Sequence, residues 1–246
     1  MEVSVLQWNK WYEGDEIVTN FLLENKADII CLQELLLENP VSDAINNPQQ
    51  IAERLGYSSY YYKEIPIESS EGHQVILANV IFSHFPMVDK TFTWINQPIA
   101  DGGYDDEYRA YVEVTLQVGG KKLTVGTTHM SYTHGFKPTA NKRKETNRLL
   151  EILATKKQNY VLTGDLNALP DSYTVTEISK VLNHAGPAFD QKTWTTKPFS
   201  YQGFNETELK WRLDYVFTSR DVEVLSTKII KTAYSDHLPI LTVIGL

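Results

Sequence analysis

The stretch from Tyr160 to Pro170 changes abruptly from apolar to polar, and this change constrains the fold more than any other feature of the sequence. Residues 160–162 form a short, partly β-branched apolar run, which predicts a buried strand that Gly164 ends. Asp165 and Asn167 follow, and in extended backbone their spacing turns both side chains to one face. A carboxylate and an amide cannot be buried there without polar partners. The stretch is therefore either a simple turn or the polar end of a strand that carries a site.

Apolar runs that end in polar side chains also occur at the start of the chain. Residues 3–9 predict a strand that ends on the amide Asn9, and residues 28–33 predict a second strand that is followed by Glu34. Between them, residues 15–25 predict a helix with an apolar face formed by Ile17, Val18, Phe21 and Leu22. In α/β enzymes, two strands joined by a helix commonly deliver site residues from their carboxyl ends.

The rest of the chain continues this alternation of strands and helices. Alternation around Gly119-Gly120 predicts a hairpin of strands at residues 108–118 and 121–128. Further strands are predicted at residues 57–63, 74–83, 87–95, 212–218, 222–230 and 238–244. Helices are predicted at residues 49–55, 139–156 and 174–182, and the basic run 142–144 near the start of the second one is expected to face solvent. We interpret residues 194–211 as an aromatic-rich loop and residues 99–107 as an acidic, solvated loop. No linker is evident, so we expect one catalytic domain, residues 1–246.

The charge and the cysteine content limit the function. A net charge of −8 argues against a protein that coats nucleic acid non-specifically, because such a protein needs a basic face. A phosphate-handling enzyme remains compatible, since a carboxylate-lined site becomes locally positive when Mg²⁺ fills it. The single cysteine, Cys31, excludes an intrachain disulfide framework. With no signal peptide pattern and no long apolar run, we expect a cytoplasmic monomer without a membrane segment.

Polar residues with useful chemistry gather at or beside the predicted strand ends: Asn9, Glu34, His129, Asp165, Asn167, Asp214, Asp236 and His237. Each of them alone fits an ordinary role, such as a cap, a turn or a satisfied core histidine. Together they suit the attack of water on a phosphoester. Glu34 with an amide oxygen is the hard-oxygen site that Mg²⁺ or Mn²⁺ accepts. Asp165 can orient or deprotonate the water, the two histidines can donate to phosphate oxygens when protonated, and Asp214 can fix one histidine in tautomer and charge.

Six blocks in order carry a resemblance to a known family: Leu6-Gln7-Trp8-Asn9, Cys31-Leu32-Gln33-Glu34, Thr127-Thr128-His129, Thr163-Gly164-Asp165-Leu166-Asn167, Trp211 to Phe217 and Ser235 to Ile240. They are similar to the ordered motifs of the endonuclease/exonuclease/phosphatase superfamily, which includes deoxyribonucleases, neutral sphingomyelinases and inositol polyphosphate phosphatases. The resemblance implies an α/β fold of the α+β type, a four-layer sandwich of two central mixed sheets flanked by helices, with the site at one edge of the paired sheets.

The resemblance also implies a role for each matched residue. Asn9 and Glu34 would serve the metal, with Asp236 near it. Asp165 and Asn167 would handle the water and the phosphate, and His237, oriented by Asp214, would act at the phosphate. His129 fits the deoxyribonuclease, sphingomyelinase and phosphatase branches and argues against abasic-site cleavage, because apurinic endonucleases lack a histidine there. Two weaker candidates for substrate binding remain open: Arg109, which contacts phosphate or is a surface strand residue, and Trp194, which stacks on substrate or packs its loop.

Three functions are compatible with the sequence. The first is a divalent-metal-dependent phosphodiesterase or nuclease that uses Mg²⁺ or Mn²⁺. The alternative is a phosphomonoesterase or lipid-headgroup hydrolase acting on a small phosphorylated substrate, such as a phosphosugar, an inositol phosphate or a sphingomyelin-like lipid. An inactive binding module ranks last, since every core motif residue is present. We further expect Asp214 to hydrogen-bond His237, on the view that their strands lie close in one sheet.

Overall fold

The computed structural model describes residues 1–11, 13–39, 45–68, 74–98, 107–156 and 158–246. Most of the acidic loop expected at 99–107 lies outside these residues. The helices are α1 (Asp15–Glu24), α2 (Pro48–Leu55), α3 (Ala140–Leu153) and α4 (Tyr173–Val181). The strands are β1 (Glu2–Asn9), β2 (Ile29–Glu38), β3 (Ser59–Glu68), β4 (Gln74–Ser83), β5 (Met87–Asn96), β6 (Arg109–Val118), β7 (Lys121–His129), β8 (Tyr160–Asp165), β9 (Asn183–His184), β10 (Phe199–Tyr201), β11 (Phe204–Glu206), β12 (Asp214–Thr218), β13 (Glu223–Ile229) and β14 (Ile240–Gly245).

The strands form two mixed six-stranded sheets and a small hairpin. The first sheet has the order β13-β14-β1-β2-β4-β3, and the second has the order β5-β6-β7-β8-β12-β9. In each sheet one central pair is parallel, β1 with β2 and β7 with β8. Parallel strands end at the same edge of a sheet, so the carboxyl ends of these two pairs are the places where side chains from successive strands meet.

Strand alternation divides the side chains into three apolar layers. Residues of one parity fill the core between the sheets, among them Val3, Val5, Ile29, Val112, Val125, Val161 and Val216. Residues of the other parity face outwards: Leu6 and Trp8 pack under α1 and α2, and Leu162 and Phe217 pack under α3 and α4. Each such side chain contributes about 1.5–3 kcal/mol when fully buried. These layers hold the sheets together, and the predicted four-layer α/β sandwich is confirmed.

The ends and faces of several elements differ from the sequence prediction. β8 continues through Gly164 to Asp165 instead of ending at Gly164, and β2 continues beyond Glu34. The loop expected at 194–211 contains the hairpin of β10 and β11. On α1 the buried residues include Thr19, while Ile17 is exposed. No helix within the described ranges has the length and apolar character needed to cross a membrane.

Candidate active site

The inner-face side chains of the parallel strands change from apolar to polar towards the carboxyl ends of those strands. In β1, Val5 is followed two and four residues later by Gln7 and Asn9, and in β8, Val161 is followed in the same way by Thr163 and Asp165. His129 ends β7 directly opposite Asp165 in the parallel pairing. The interior between the sheets is therefore hydrophobic over most of its length and polar at one edge.

Glu34 reaches this polar edge only because β2 is irregular. Cys31 and Gln33 point into the space between the sheets, so strict alternation would turn Glu34 outwards. The pairing of β2 with β4 shifts between Leu32 and Leu35, and Glu34 has a φ of 58°. Such left-handed backbone costs a non-glycine residue about 1–3 kcal/mol and is found mainly at functional sites. As a result, Glu34 Oε1 accepts a hydrogen bond of 2.8 Å from Asn9 Nδ2.

Asp165 lies at the centre of the polar edge. Its Oδ2 accepts a hydrogen bond of 3.1 Å from Asn9 Nδ2 and lies 3.5 Å from His129 Nε2 and 3.6 Å from His237 Nε2. Burial raises the pKa of Asp165 to about 7, an effect that His237 opposes and Asp214 strengthens. A carboxylate whose pKa lies near neutral pH is well matched to accepting a proton from a water molecule.

Asn167 is joined to Asp165 by a tight turn. The backbone N–H of Asn167 donates to Asp165 Oδ1 at 2.9 Å, and Asn167 has a φ of 44°. The backbone is therefore not extended, and the period-two argument for these two side chains does not apply. Instead, an Asx-type turn places both at the cleft. The two sequence interpretations, a turn and the polar end of a strand, therefore both describe this stretch.

Asp214 and His237 form the hydrogen bond that the sequence led us to expect, at 2.8 Å between Asp214 Oδ2 and His237 Nδ1. The expected reason is wrong, because β12 and β14 belong to different sheets. Asp214 begins β12, His237 precedes β14, and the hydrogen bond crosses the space between the sheets. Burial alone would lower the pKa of His237, but the carboxylates of Asp214, Asp236 and Asp165 hold this pKa well above 6.5. His237 is therefore an imidazolium whose Nε2 faces the cleft.

The ring of His129, unlike that of His237, is neutral. Burial lowers its pKa well below 6.5, and the nearby charges of Arg109, His237 and Lys142 lower it further. Arg109 NH1 lies 3.3 Å from His129 Nδ1. A guanidinium can only donate, so Nδ1 is the acceptor and the neutral ring carries its proton on Nε2. Because Nε2 is protonated, the Asn167 amide, 3.1 Å away, directs its own donated hydrogen bond to Met130 O at 3.0 Å.

Arg109 is a buried residue and not a surface strand residue. Its side chain is 4% exposed, lines the cleft and forms an ion pair of 2.6 Å with Glu107. Within the described residues its Nε has no hydrogen-bond partner. Leaving such a donor unpaired is costly, so Arg109 keeps unused hydrogen-bonding capacity beside the cleft.

Trp194 packs its loop and also supports an acidic site residue. It is 3% exposed and lies edge-on to Phe136 and Phe199, with ring centroids 5.4 and 5.1 Å away. Its Nε1 donates to Asp236 Oδ2 at 2.8 Å. Of the two interpretations of Trp194, the structure shows the packing contacts, and the indole N–H fixes Asp236 at the cleft.

A polar network behind these residues was missed in the sequence analysis. Gln7 and Gln33 exchange two amide hydrogen bonds of 2.6 and 2.9 Å across the β1–β2 pair. Gln33 also donates to Thr127 at 2.9 Å, which bridges to the second sheet, and Gln7 donates to Asp214 Oδ1 at 3.2 Å. The signal was present in the sequence, because each of Gln7 and Thr127 stands two residues before a predicted site residue and shares its face.

Lys142 was also misplaced, since it is buried and does not face solvent. Its Nζ donates to Ser131 O at 2.7 Å and to Leu166 O at 2.6 Å, and burial lowers its pKa to about 8. Only Arg143 and Lys144 of the basic run are exposed. Lys142 thus ties α3 to the segments that follow β7 and β8, next to His129 and Asp165.

These side chains surround a cleft of about 160 Å³, whose lining includes Glu34, Arg109, His129, Asp165, Asn167, Trp194, Asp236 and His237. The lining fits a hard divalent cation, because it contains the carboxylates of Glu34, Asp165 and Asp236. Burial raises the pKa of Glu34, and repulsion by the nearby Asp236 carboxylate raises it further. A cation bound between these two carboxylates would relieve that repulsion. Asp165, Asp214 and His237 also place ligand atoms within 4.8 Å of one another. In that group, however, Asp214 Oδ2 and His237 Nδ1 already form a hydrogen bond with each other, which leaves these two atoms unavailable to a metal.

The fold resembles those of several proteins of known structure. Curated protein sequences gave no match. An endonuclease/exonuclease/phosphatase from Beutenbergia cavernae superposes with a TM-score of 0.76 at 20% identity, covering 100% of this chain and 72% of the other. The human Nocturnin catalytic domain with bound sulfate superposes with a TM-score of 0.71 at 20% identity, covering 99% of this chain and 93% of the other. A mannosyl-6-phosphatase from Bacteroides thetaiotaomicron superposes with a TM-score of 0.67 at 17% identity, covering 99% of this chain and 100% of the other.

These similarities establish a shared fold, and the sequence itself establishes the family. Residues 6–237 match the family model described as Endonuclease/Exonuclease/phosphatase family. The match begins in β1, three residues before Asn9, and ends at His237, so it spans every residue of the cleft named above. The chain therefore belongs to the endonuclease/exonuclease/phosphatase family.

Proposed function

We propose that the protein is a divalent-metal-dependent hydrolase of phosphoester bonds, with a phosphodiester as its first candidate substrate. The observation that carries this proposal is the position of Asp165, between the imidazolium of His237 and the Asn9–Glu34 pair in one cleft. A proton acceptor, a cationic donor and a carboxylate that can ligate a cation thus face the same small space. Family membership supports phosphoester hydrolysis as the general reaction.

Several residues of the cleft have separate roles in the proposed hydrolysis. Asp165, with a pKa of about 7, orients the attacking water and accepts its proton, while Asn9 holds the carboxylate in place. His237 donates from Nε2 to a phosphate oxygen, and Asp214 keeps the ring charged and oriented. His129 is a neutral donor through its own Nε2 at the same phosphate. Fixed donors of this kind stabilise the charge that builds up in the transition state.

Glu34, with Asp236 beside it, would hold Mg²⁺ or Mn²⁺, and Asn9, whose Nδ2 donates to Glu34, would orient that carboxylate. When bound, the cation polarises a phosphoryl oxygen and offsets developing negative charge. Asn9 Nδ2 contacts both Glu34 and Asp165, so the amide links the metal-binding group to the water-activating group. Its oxygen accepts from the backbone N–H of Trp11 at 3.2 Å, which fixes the orientation of the amide.

A phosphomonoesterase or lipid-headgroup hydrolase acting on a small phosphorylated molecule is the second candidate. The net charge of −8 and the cleft of about 160 Å³ favour a small substrate over a long polyanion. The fold similarity to a mannosyl-6-phosphatase is compatible with it. We also propose a cytoplasmic location, which the free thiol of Cys31 supports because reducing compartments keep thiols unpaired.

The proposal is tested by measuring turnover of an activated phosphodiester and an activated phosphomonoester with Mg²⁺, with Mn²⁺ and with a chelator. We expect turnover only with metal, and a loss of about a hundredfold or more in Asp165→Asn. Asp89→Asn, a matched change on the exposed part of β5, should retain full activity. Turnover that survives chelation, or an Asp165→Asn variant with near-native rate, would refute the mechanism. The ratio of the two turnover rates decides between the two substrate classes.

A further inference from the structure

A second cavity of about 450 Å³ adjoins the catalytic cleft. Asn167 and Phe136 line both spaces, so the two share a wall. The cleft is smaller than the range of about 300–1,000 Å³ that is common for small-molecule sites, whereas the second cavity falls within it. The second cavity thus lies directly beside the cleft and is large enough to hold the remaining atoms of a small substrate.

The second cavity has two exposed cations on its wall, and among the described residues neither has an anionic partner. Lys137 and Arg143 are exposed and line it, together with the carboxylate of Asp171. Neither cation forms an ion pair with a carboxylate in the part of the chain that the structure describes. The guanidinium of Arg143 instead lies over the ring of Tyr173, 4.4 Å from its centroid. This contact holds the charge at the cavity without neutralising it.

The rest of the cavity lining includes the hydroxyl groups of Thr139 and Ser172 and the buried, hydrogen-bonded side chain of Lys142. Thr139 and Ser172 cap α3 and α4, so the first turns of both helices border the cavity and add positive potential there. Lys142 also borders the cavity, but its Nζ is committed to the carbonyl oxygens of Ser131 and Leu166 and serves as a rigid support. The accessible charges are therefore those of Lys137 and Arg143, which outnumber the single carboxylate.

We propose that this cavity, lined by Lys137, Arg143 and Tyr173, binds a second phosphate group of the same substrate whose phosphoester is hydrolysed in the cleft. This inference rests on the proposed function and narrows it to substrates that carry two phosphate groups. Arginine and lysine donate charge-assisted hydrogen bonds to phosphate oxygens, which are stronger than neutral ones. Two sources share this chemistry, a nucleotide with a second phosphate and a bisphosphorylated sugar.

Binding can be measured without turnover in the Asp165→Asn protein by titration calorimetry. One pair of probes is adenosine 3′,5′-bisphosphate and adenosine 5′-monophosphate, and the other is fructose 1,6-bisphosphate and fructose 6-phosphate. In at least one pair we expect the bisphosphate to bind about tenfold more tightly than the monophosphate. Adding Arg143→Gln or Lys137→Gln to this protein should abolish most of that preference. Adding Lys144→Gln, which changes an exposed neighbour outside the cavity, should leave it intact.

The pair that shows the preference identifies the source of the second phosphate. Equal affinity for both members of both pairs would overturn the inference, as would a preference that survives Arg143→Gln and Lys137→Gln together. These outcomes are independent of the proposed function, because failure of phosphoester hydrolysis appears in the turnover assay of the wild-type protein. A protein that shows the Arg143-dependent preference but no turnover would refute the catalytic proposal and retain the phosphate site.

Discussion

At the scale of single residues, two histidines in one cleft differ in charge because of their neighbours. His237 contacts the Asp214 carboxylate at 2.8 Å, and His129 has the Arg109 guanidinium at 3.3 Å from the corresponding nitrogen. The carboxylate raises the pKa of one ring, while burial and the guanidinium lower that of the other. The site thus holds a charged donor and a neutral donor, although the sequence offers two identical side chains.

The first residue-scale prediction concerns pH. Asp165 must be ionised to accept a proton, so kcat/KM should fall as the pH drops through the pKa of Asp165, about 7 without metal and lower once a cation binds nearby. His237 must be protonated to donate, so the rate should also fall when the pH rises through the raised pKa of His237. Asp214→Asn removes the carboxylate that raises the His237 pKa. Its alkaline limb should therefore shift to lower pH, and an unshifted limb would contradict the assigned pairing.

The second residue-scale prediction is a double-mutant cycle. Asp214 acts through His237, so removal of either side chain should remove the same contribution to the transition state. We expect Asp214→Ala and His237→Ala to lose similar factors in kcat, and the double variant to lose little more than either. The measurement is kcat for the three variants and the wild type, with circular dichroism to confirm folding. Losses that multiply would show that the two residues act independently.

At the scale of secondary-structure elements, the sequence pattern predicted most strands of the two sheets but missed β9 and the hairpin of β10 and β11. Alternation in residues 3–9 and the apolar run 160–162 sufficed to place Asn9 and Asp165 near strand ends. Alternation could not reveal the irregularity at Glu34, because a bulge depends on the pairing with β4. It also misplaced Lys142, since a helical lysine is buried only when carbonyl groups of other segments are available to it. Local sequence patterns therefore predicted most strands and helices, whereas the positions of Glu34 and Lys142 depend on contacts between elements that are distant in sequence.

Gly164 allows a test of the pairing between β7 and β8. A Cβ at this position would lie 2.3 Å from the backbone oxygen of Thr128, which cannot move away without shifting β7. We expect Gly164→Ala to lower the free energy of unfolding by about 1–3 kcal/mol and to reduce kcat, because His129 and Asp165 are the next pair in this register. Urea unfolding and turnover are the measurements. Gly245→Ala in β14, where a Cβ would have ordinary contacts of 3.5 Å or more, is the matched control.

At the scale of the whole molecule, the site forms only where the two sheets meet. Asn9, Glu34 and His237 come from the first sheet or its connections, and His129 and Asp165 come from the second. The hydrogen bonds from Asn9 to Asp165, from Gln33 to Thr127 and from His237 to Asp214 all cross between the sheets. The apolar core supplies most of the stabilisation that keeps the sheets in contact, and these polar bonds set their alignment at one edge.

The net charge of −8 yields a prediction for the molecule as a whole. A long polyanion approaches an acidic surface against repulsion, and salt screens that repulsion over about 10 Å at 0.1 M. We therefore expect a single-stranded oligonucleotide, used as a competitive inhibitor of phosphodiester turnover at constant Mg²⁺, to inhibit better as monovalent salt rises from about 0.02 to 0.15 M. A basic nucleic-acid-binding protein shows the reverse, because counterion release weakens its binding with salt. An activated phosphodiester with a single negative charge is the control, and its kcat/KM should change little over the same range. Oligonucleotide inhibition that weakens steeply with salt would reveal a basic track along the surface and would favour nucleic acid over small phosphoesters as the substrate.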